Sequence, residues 1–150
     1  MKKNLESKLL IGNRIQHDFF ITKGRGESDI AIHAGSYHLA LKDAGVECYN
    51  HMKYSSILPG IAREVAKPRE YEHGAVLETI AAVADAERGQ LATAGIIYAW
   101  LHDRRSRKKY GGLVCEYNGK VRPEIAEQSL KDSLQELYEN GFQEKFALGE

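Results

Sequence analysis

Two adjacent hydroxyls, Ser55 and Ser56, close an apolar stretch and are followed by Ile57-Leu58-Pro59. Paired serines in such a place ordinarily make a turn, because their side chains hydrogen-bond the local backbone. They also have a second chemistry open to them. A serine hydroxyl held against the carbonyl that precedes it can attack that carbonyl, moving the acyl group from nitrogen to oxygen and giving an ester. Elimination of the ester cuts the chain and leaves dehydroalanine, which hydrolyses to a pyruvoyl group. Periodicity and composition do not choose between the turn and the cut.

Glu116 is the carboxylate that invites an acid–base reading. It lies two residues after Val114 in the strand-like run Gly112-Leu-Val-Cys-Glu-Tyr117, so alternation puts both side chains on one face. On a buried face, desolvation raises a carboxyl pKa as a general acid requires; on a solvent face the residue is an ordinary strand-end carboxylate. Other candidates read as structure. His33 and His38 are five apart, off the same-face spacing of a helix, and no HExxH or CxxC pattern accompanies them, so no metal site is expected. The run Arg104-Arg-Ser-Arg-Lys-Lys109, with Tyr110 beside it, has the residue types that grip phosphate and stack on a base. It reads instead as a solvated loop between two strands, being short and balanced by acidic residues elsewhere. Gly24-Arg-Gly26 lacks the third glycine and the helix start of a nucleotide fingerprint and reads as a turn.

The elements that must position these residues follow from punctuation and period. Short apolar runs at 8–11 and at His17–Thr22, bounded by Gly12-Asn13 and Gly24-Arg-Gly26, predict strands. Alanines and leucines from Ile30 to Ala44 predict a helix closing on Gly45. Val46–Tyr54 reads as a strand that stops at Ser55–Gly60, because Pro59 cannot donate to a ladder. Gly74–Ala84 and Gln90–Leu101 tilt toward strands on their isolated glycines and on Ile96-Ile-Tyr-Ala-Trp100. The strand ending at Tyr117 is expected to turn at Asn118-Gly119 in a two-residue hairpin. A last helix opens on Pro123, carries Ile125, Leu130, Leu134, Leu137 and Tyr138 on one stripe, and stops at Asn140-Gly141. Strands and helices without strict alternation indicate an α+β sandwich.

Composition bounds the partners. The chain has 150 residues and 21 basic against 21 acidic side chains, which is the size of a single domain with its own core and argues against a dedicated polyanion binder. No internal period or Gly/Ser linker divides it. Cys48 and Cys115 form no CxxC pair, which fits a reducing compartment, and a cytosolic protein is expected. The apolar run Leu9-Leu10-Ile11 is too short for a signal peptide or a membrane span. No membrane or nucleic-acid partner is expected.

Three blocks resemble a known family. Asn50-His-Met-Lys-Tyr-Ser55-Ser56-Ile-Leu-Pro59, Gly74-Ala-Val and Gly112-Leu-Val-Cys-Glu116-Tyr-Asn-Gly-Lys120 are similar to the signature blocks of the pyruvoyl-dependent arginine decarboxylases, in that family's order and at about its spacing. The similarity runs from about Lys8 to Phe142. It implies a layered α-β-β-α sandwich, trimeric assembly, and active sites between protomers. It also implies a proenzyme that cuts itself between Ser55 and Ser56 into a β chain, 1–55, and an α chain, 56–150, with Ser56 becoming the pyruvoyl cofactor. Asn50 matches the asparagine that assists the cut, read as a donor to the oxyanion at the Ser55 carbonyl. Glu116 matches the catalytic acid.

The chemistry so implied is conversion of L-arginine to agmatine and carbon dioxide, in a pathway to polyamines. The substrate amine forms a Schiff base with the pyruvoyl ketone, which takes up the electrons released with carbon dioxide. Glu116 then protonates the carbanion-like carbon, so Glu116→Gln is expected to end turnover and leave the cut largely intact. Two departures stand out. His38 occupies the position where an archaeal form carries an aspartate facing the guanidinium, and imidazole lacks the paired acceptors that suit that group. Asp43, Glu47 and Tyr54 are the nearby candidates for substrate binding, and histidine or another amino acid stays open as substrate. Family chains also continue past the final helix into another strand, whereas this one stops at Ala147–Glu150, so an unpaired sheet edge is expected. A non-processing relative serving as a scaffold is the competing class.

Overall fold

The computed structural model describes residues 14–69 and 72–149, so the strand expected at 8–11 lies outside the described residues. The chain is a single-domain α+β fold. Its largest sheet has the order β3-β7-β6-β8, built from β3 (Ile57–Pro59), β6 (Thr93–Asp103), β7 (Lys109–Gly119) and β8 (Phe146–Gly149), all antiparallel to their neighbours. Two parallel two-stranded ribbons complete the β structure: β1 (Asp18–Phe19) with β4 (Arg63–Glu64), and β2 (Asn50–Lys53) with β5 (Val76–Thr79).

The sheet has two unlike faces because side chains alternate along its strands. Ala99 and Leu101 of β6 and Leu113 of β7 turn one way and pack with Leu134 of helix α2 (Pro123–Gly141), joined by Ile97, Cys115, Tyr138, Phe142, Phe146 and Leu148. Leu101 and Leu113 are each 1% exposed, which makes this layer the core. Burial of two leucines on this scale contributes about 2–3 kcal/mol each. The opposite face carries Tyr98 and Trp100, which meet Phe19 of β1 at ring-centroid distances of 5.9 and 6.2 Å. Tyr98 also donates to Glu64 of β4 at 2.8 Å, so the first ribbon is seated on this second face.

Several expectations are corrected. Asn118-Gly119 makes no hairpin; both residues lie in the β6–β7 ladder opposite Ala94 and Thr93. The basic run is the loop between two strands that it was read as: β6 turns into β7 there, where Asp103 Oδ1 accepts the Arg105 and Ser106 amides at 3.0 and 2.6 Å and Arg107 adopts a positive φ of 61°. An Asx turn thus makes the reversal between these two strands. Helix α2 ends at Gly141, as Asn140-Gly141 was read to stop it, but it presents Ala126, Leu130 and Leu134 inward, a strict i, i+4 row, while Ile125 is 55% exposed. Pro59 lies within β3, where an edge position asks for no donor on its free side. Gly74–Ala84 contributes only the four residues of β5.

The strand absent by expectation after α2 is present. β8 pairs with β6 from Trp100↔Gly149 to Asp103↔Phe146, covering the last four residues of that 11-residue strand. Tyr138 fixes the path: its hydroxyl donates to Phe146 O at 2.9 Å and accepts from Arg104 at 3.0 Å, and Arg104 Nε reaches Gln143 O at 3.0 Å.

The helix expected at 30–44 divides. Ile32–Tyr37 is wound as a π-helical turn that passes into α1 (His38–Ala44), which closes on Gly45 at φ 68° as the sequence reading anticipates. Gly24-Arg-Gly26 is no turn. It lies extended along this helix so closely that a Cβ on either glycine would strike the helix backbone, at Ala40 O and Ser36 O. Leu113→Ala is expected to cost about 2–5 kcal/mol by opening a cavity under α2, read as a lowered denaturant midpoint at unchanged slope.

Candidate active site

The Ser55–Ser56 peptide bond crosses between two sheets. Upstream, β2 is paired to β5, and the ladder extends one step further through Tyr54 N–H to Thr79 O at 2.9 Å. Downstream, β3 is paired to β7, and Val114 N–H donates to Ser56 O at 3.0 Å. Backbone on each side is therefore fixed to a different partner. Between the two anchors, Ile57 N–H donates to Ser55 O at 2.9 Å, closing a three-residue turn centred on Ser56.

Glu116 reaches this turn from β7. Ser56 Oγ donates to its carboxylate, 3.0 Å from Oε1 and 2.9 Å from Oε2. Alternation does place Glu116 on the face of buried Val114, yet Glu116 itself is exposed in the single chain. The arrangement combines a nucleophilic hydroxyl, a carboxylate in proton-transfer range and a polarised carbonyl on the residue before it.

Asn50 is engaged elsewhere. Its amide Nδ2 donates to Gly74 O at 2.7 Å, which ties β2 to the loop entering β5, while the donor on Ser55 O is the Ile57 amide. Tyr54 Oη donates to Glu78 Oε1 at 2.7 Å and accepts from Arg14 at 3.2 Å; Arg14 bridges to Glu78 at 3.0 Å and Gln16 reaches its second oxygen at 3.1 Å. Glu78, Arg14 and Gln16 escape sequence reading, because the parallel β2–β5 pairing that gathers them leaves no local signal.

The residues considered for substrate binding separate. Asp43 on α1 lines an open groove shared with Tyr54, Ser55, Glu78 and Asp85, and its Oδ2 accepts the Arg25 amide at 3.0 Å. His38 is exposed at the start of α1, and Glu47 lies in the turn beyond its end; neither lines that groove. Among the described residues no group of three or more His, Cys, Asp or Glu is placed to hold a metal ion.

The family model described as pyruvoyl-dependent arginine decarboxylase matches residues 18–147. This chain belongs to that family. The match spans both serines of the junction and Glu116, and membership makes the chain a decarboxylase-family protein that depends on a pyruvoyl group. No curated protein matches it. Within this decarboxylase fold the Tyr54–Glu78 pair has an electrostatic signature. Hydrogen bonding to the Glu78 carboxylate lifts the Tyr54 phenol above its ordinary 10.0, and the same bond holds Glu78 below its ordinary 4.5.

A raised phenol stabilises the folded state while it stays protonated, an effect present below pH 10 and lost as pH rises through the lifted value. Tyr98, donating to Glu64, is raised in the same way, so an ultraviolet difference titration is expected to show late-ionising tyrosine whose amplitude falls by one residue in Tyr54→Phe, while in Glu78→Gln one residue's share returns toward 10.0. An unmoved titration in both variants would disprove the pair.

Proposed function

We propose that this protein cuts itself between Ser55 and Ser56, converts Ser56 to a pyruvoyl group, and uses that group to decarboxylate L-arginine to agmatine. One observation carries the reading: the Ser56 hydroxyl is hydrogen-bonded to both oxygens of Glu116 beside a polarised Ser55 carbonyl. Ser56 Oγ adds to the Ser55 carbonyl carbon as its proton passes to Glu116, and the charge growing on the carbonyl oxygen meets the Ile57 N–H. The carbon–nitrogen bond breaks as the nitrogen takes a proton from Glu116, leaving an ester. Loss of the Ser56 α-proton then expels Ser55 as a carboxylate. The dehydroalanine left at position 56 adds water and releases ammonia to become the pyruvoyl group.

That group supplies a ketone able to capture an amine and to accept the electron pair released with carbon dioxide. The chain's own residues do the rest. Glu116, on the strand facing position 56, is placed to return a proton to the substrate carbon. Because the same carboxylate touches the Ser56 hydroxyl, Glu116→Gln is expected to slow the cut as well as end turnover, a wider effect than the sequence alone suggests. Asp43, which lines the same groove as Ser55, is the carboxylate we assign to the guanidinium among the candidates considered from sequence; histidine is the competing substrate.

The surface supports a homo-oligomer. The chain exposes 11979 Å², against about 7,700 Å² for a monomer of 16.8 kDa. Ile57, next to the junction, is 60% exposed, and Ile32 and Ile30 are 63% and 95% exposed. Apolar surface of this extent seeks cover, and the assembly we propose for it is the trimer that the family resemblance implies, with the junction between protomers. Two free cysteines suit a cytoplasmic location, and no helix among the described residues is long and apolar enough to cross a membrane.

Intact mass under denaturing conditions tests the proposal. Two species matching 1–55 and 56–150 are expected, the larger with a blocked N-terminus that borohydride reduces, from an assembly of about 50 kDa, three times the 16.8 kDa chain. A single uncut species after prolonged incubation would refute it. A panel of amino acids assayed for carbon dioxide release is expected to single out arginine, and Asp43→Asn to raise its KM about tenfold or more.

A further inference from the structure

Four side chains from three segments meet immediately upstream of the junction. Glu78 of β5 is at the centre, 20% exposed, and accepts from Tyr54 Oη, Arg14 and Gln16 at 2.7, 3.0 and 3.1 Å. Arg14 spans the group, its guanidinium also reaching Tyr54 Oη at 3.2 Å and Met52 Sδ at 3.5 Å. Met52 stands opposite Glu78 in the β2–β5 register, so Met52 and Tyr54, two apart, share the face on which Arg14 lies. These contacts join residues before the junction to a residue after it.

We infer that Glu78 is a positioning residue for chain cleavage: through Tyr54 it fixes the carbonyl side of the Ser55–Ser56 bond, with Arg14 and Gln16 holding Glu78 in place. The inference rests on the cleavage reading above. The attacking hydroxyl is held on the β7 side by Glu116, and the backbone carbonyl of its own residue by Val114 N–H. The carbonyl it attacks belongs to Ser55, whose neighbour Tyr54 is fixed on the β5 side. Attack requires the two sides to stay in register, and an ångström of slack between reacting atoms costs up to about a hundredfold in rate. The Tyr54 backbone bond to Thr79 lies at the end of a four-residue strand, where ladders fray. The side-chain contacts anchor that end a second time, beyond the last strand residue.

The experiment follows cleavage of freshly made full-length chain by denaturing gel, for wild type, Glu78→Gln, Tyr54→Phe and the double variant. Each single variant is expected to lengthen the half-time about tenfold, and the double variant to be no slower than the slower single, because both act through one contact. Loss of general fold stability would instead multiply the two effects toward a hundredfold, and that result overturns the inference. So do singles that cut at the wild-type rate, an outcome that leaves the cleavage reading standing. An uncut wild type removes both. Tyr54→Phe deletes one oxygen from an exposed ring, so it bears the test alone if Glu78→Gln does not fold, with Arg14→Lys expected to restore more of the rate than Arg14→Met.

Discussion

One peptide bond between two sheets organises this molecule. The Ser55 side is held by β5, the Ser56 side by β7, and the three-residue turn between them presses a polarised carbonyl beside a hydroxyl that already donates to Glu116. A serine pair free in solution samples many such geometries briefly. Here both flanks are tied to separate partners, so the turn is what remains for the connecting residues. Local backbone geometry at a functional site is imposed by its surroundings in this way, not chosen by the residues that adopt it.

The proposed division of the chain at that bond has a structural logic. Strands β3, β6, β7 and β8 and helix α2, with Leu101, Leu113 and Leu134 between them, all follow Ser56. The segment before it contributes β1, α1 and β2, and both of its strands pair in parallel with strands that lie after the junction. Further bonds reinforce the union, among them Lys67 Nζ to Ala44 O at 2.9 Å and Arg63 to Asp18 at 2.8 Å. On the proposed function, a cut at this place leaves the core whole and the two pieces interlocked through backbone ladders.

Much of the site was legible because its residues are adjacent in sequence or held by simple alternation. The paired serines need only each other and the carbonyl between them, and Val114 forecasts the face of Glu116 at a spacing of two. Glycine at position 45 stops α1 as its conformational freedom suggests. Asn118-Gly119 misled because turn propensity yields to a ladder when the partner strand is long enough, as the 11-residue β6 is. Of the α2 stripe, Leu130, Leu134 and Tyr138 turn inward as read, whereas Ile125 and Leu137 are exposed and small Ala126 takes the buried place in the first turns.

The sequence by itself determined the long amphipathic helix and the α+β class, since each depends on residue type and on neighbours within a few positions; for Ser55, Ser56 and Glu116 it offered the chemistry without choosing it, and only the family resemblance singled them out. Only the tertiary structure decided that Ser56 and Glu116, 60 residues apart, share a hydrogen bond, that Arg14 and Gln16 converge with Glu78 on Tyr54, and that the chain's end closes the sheet as β8. Those outcomes rest on parallel ribbons and strand order, pairings between distant segments whose register is selected by which faces bury together, and no local pattern of residues encodes that choice.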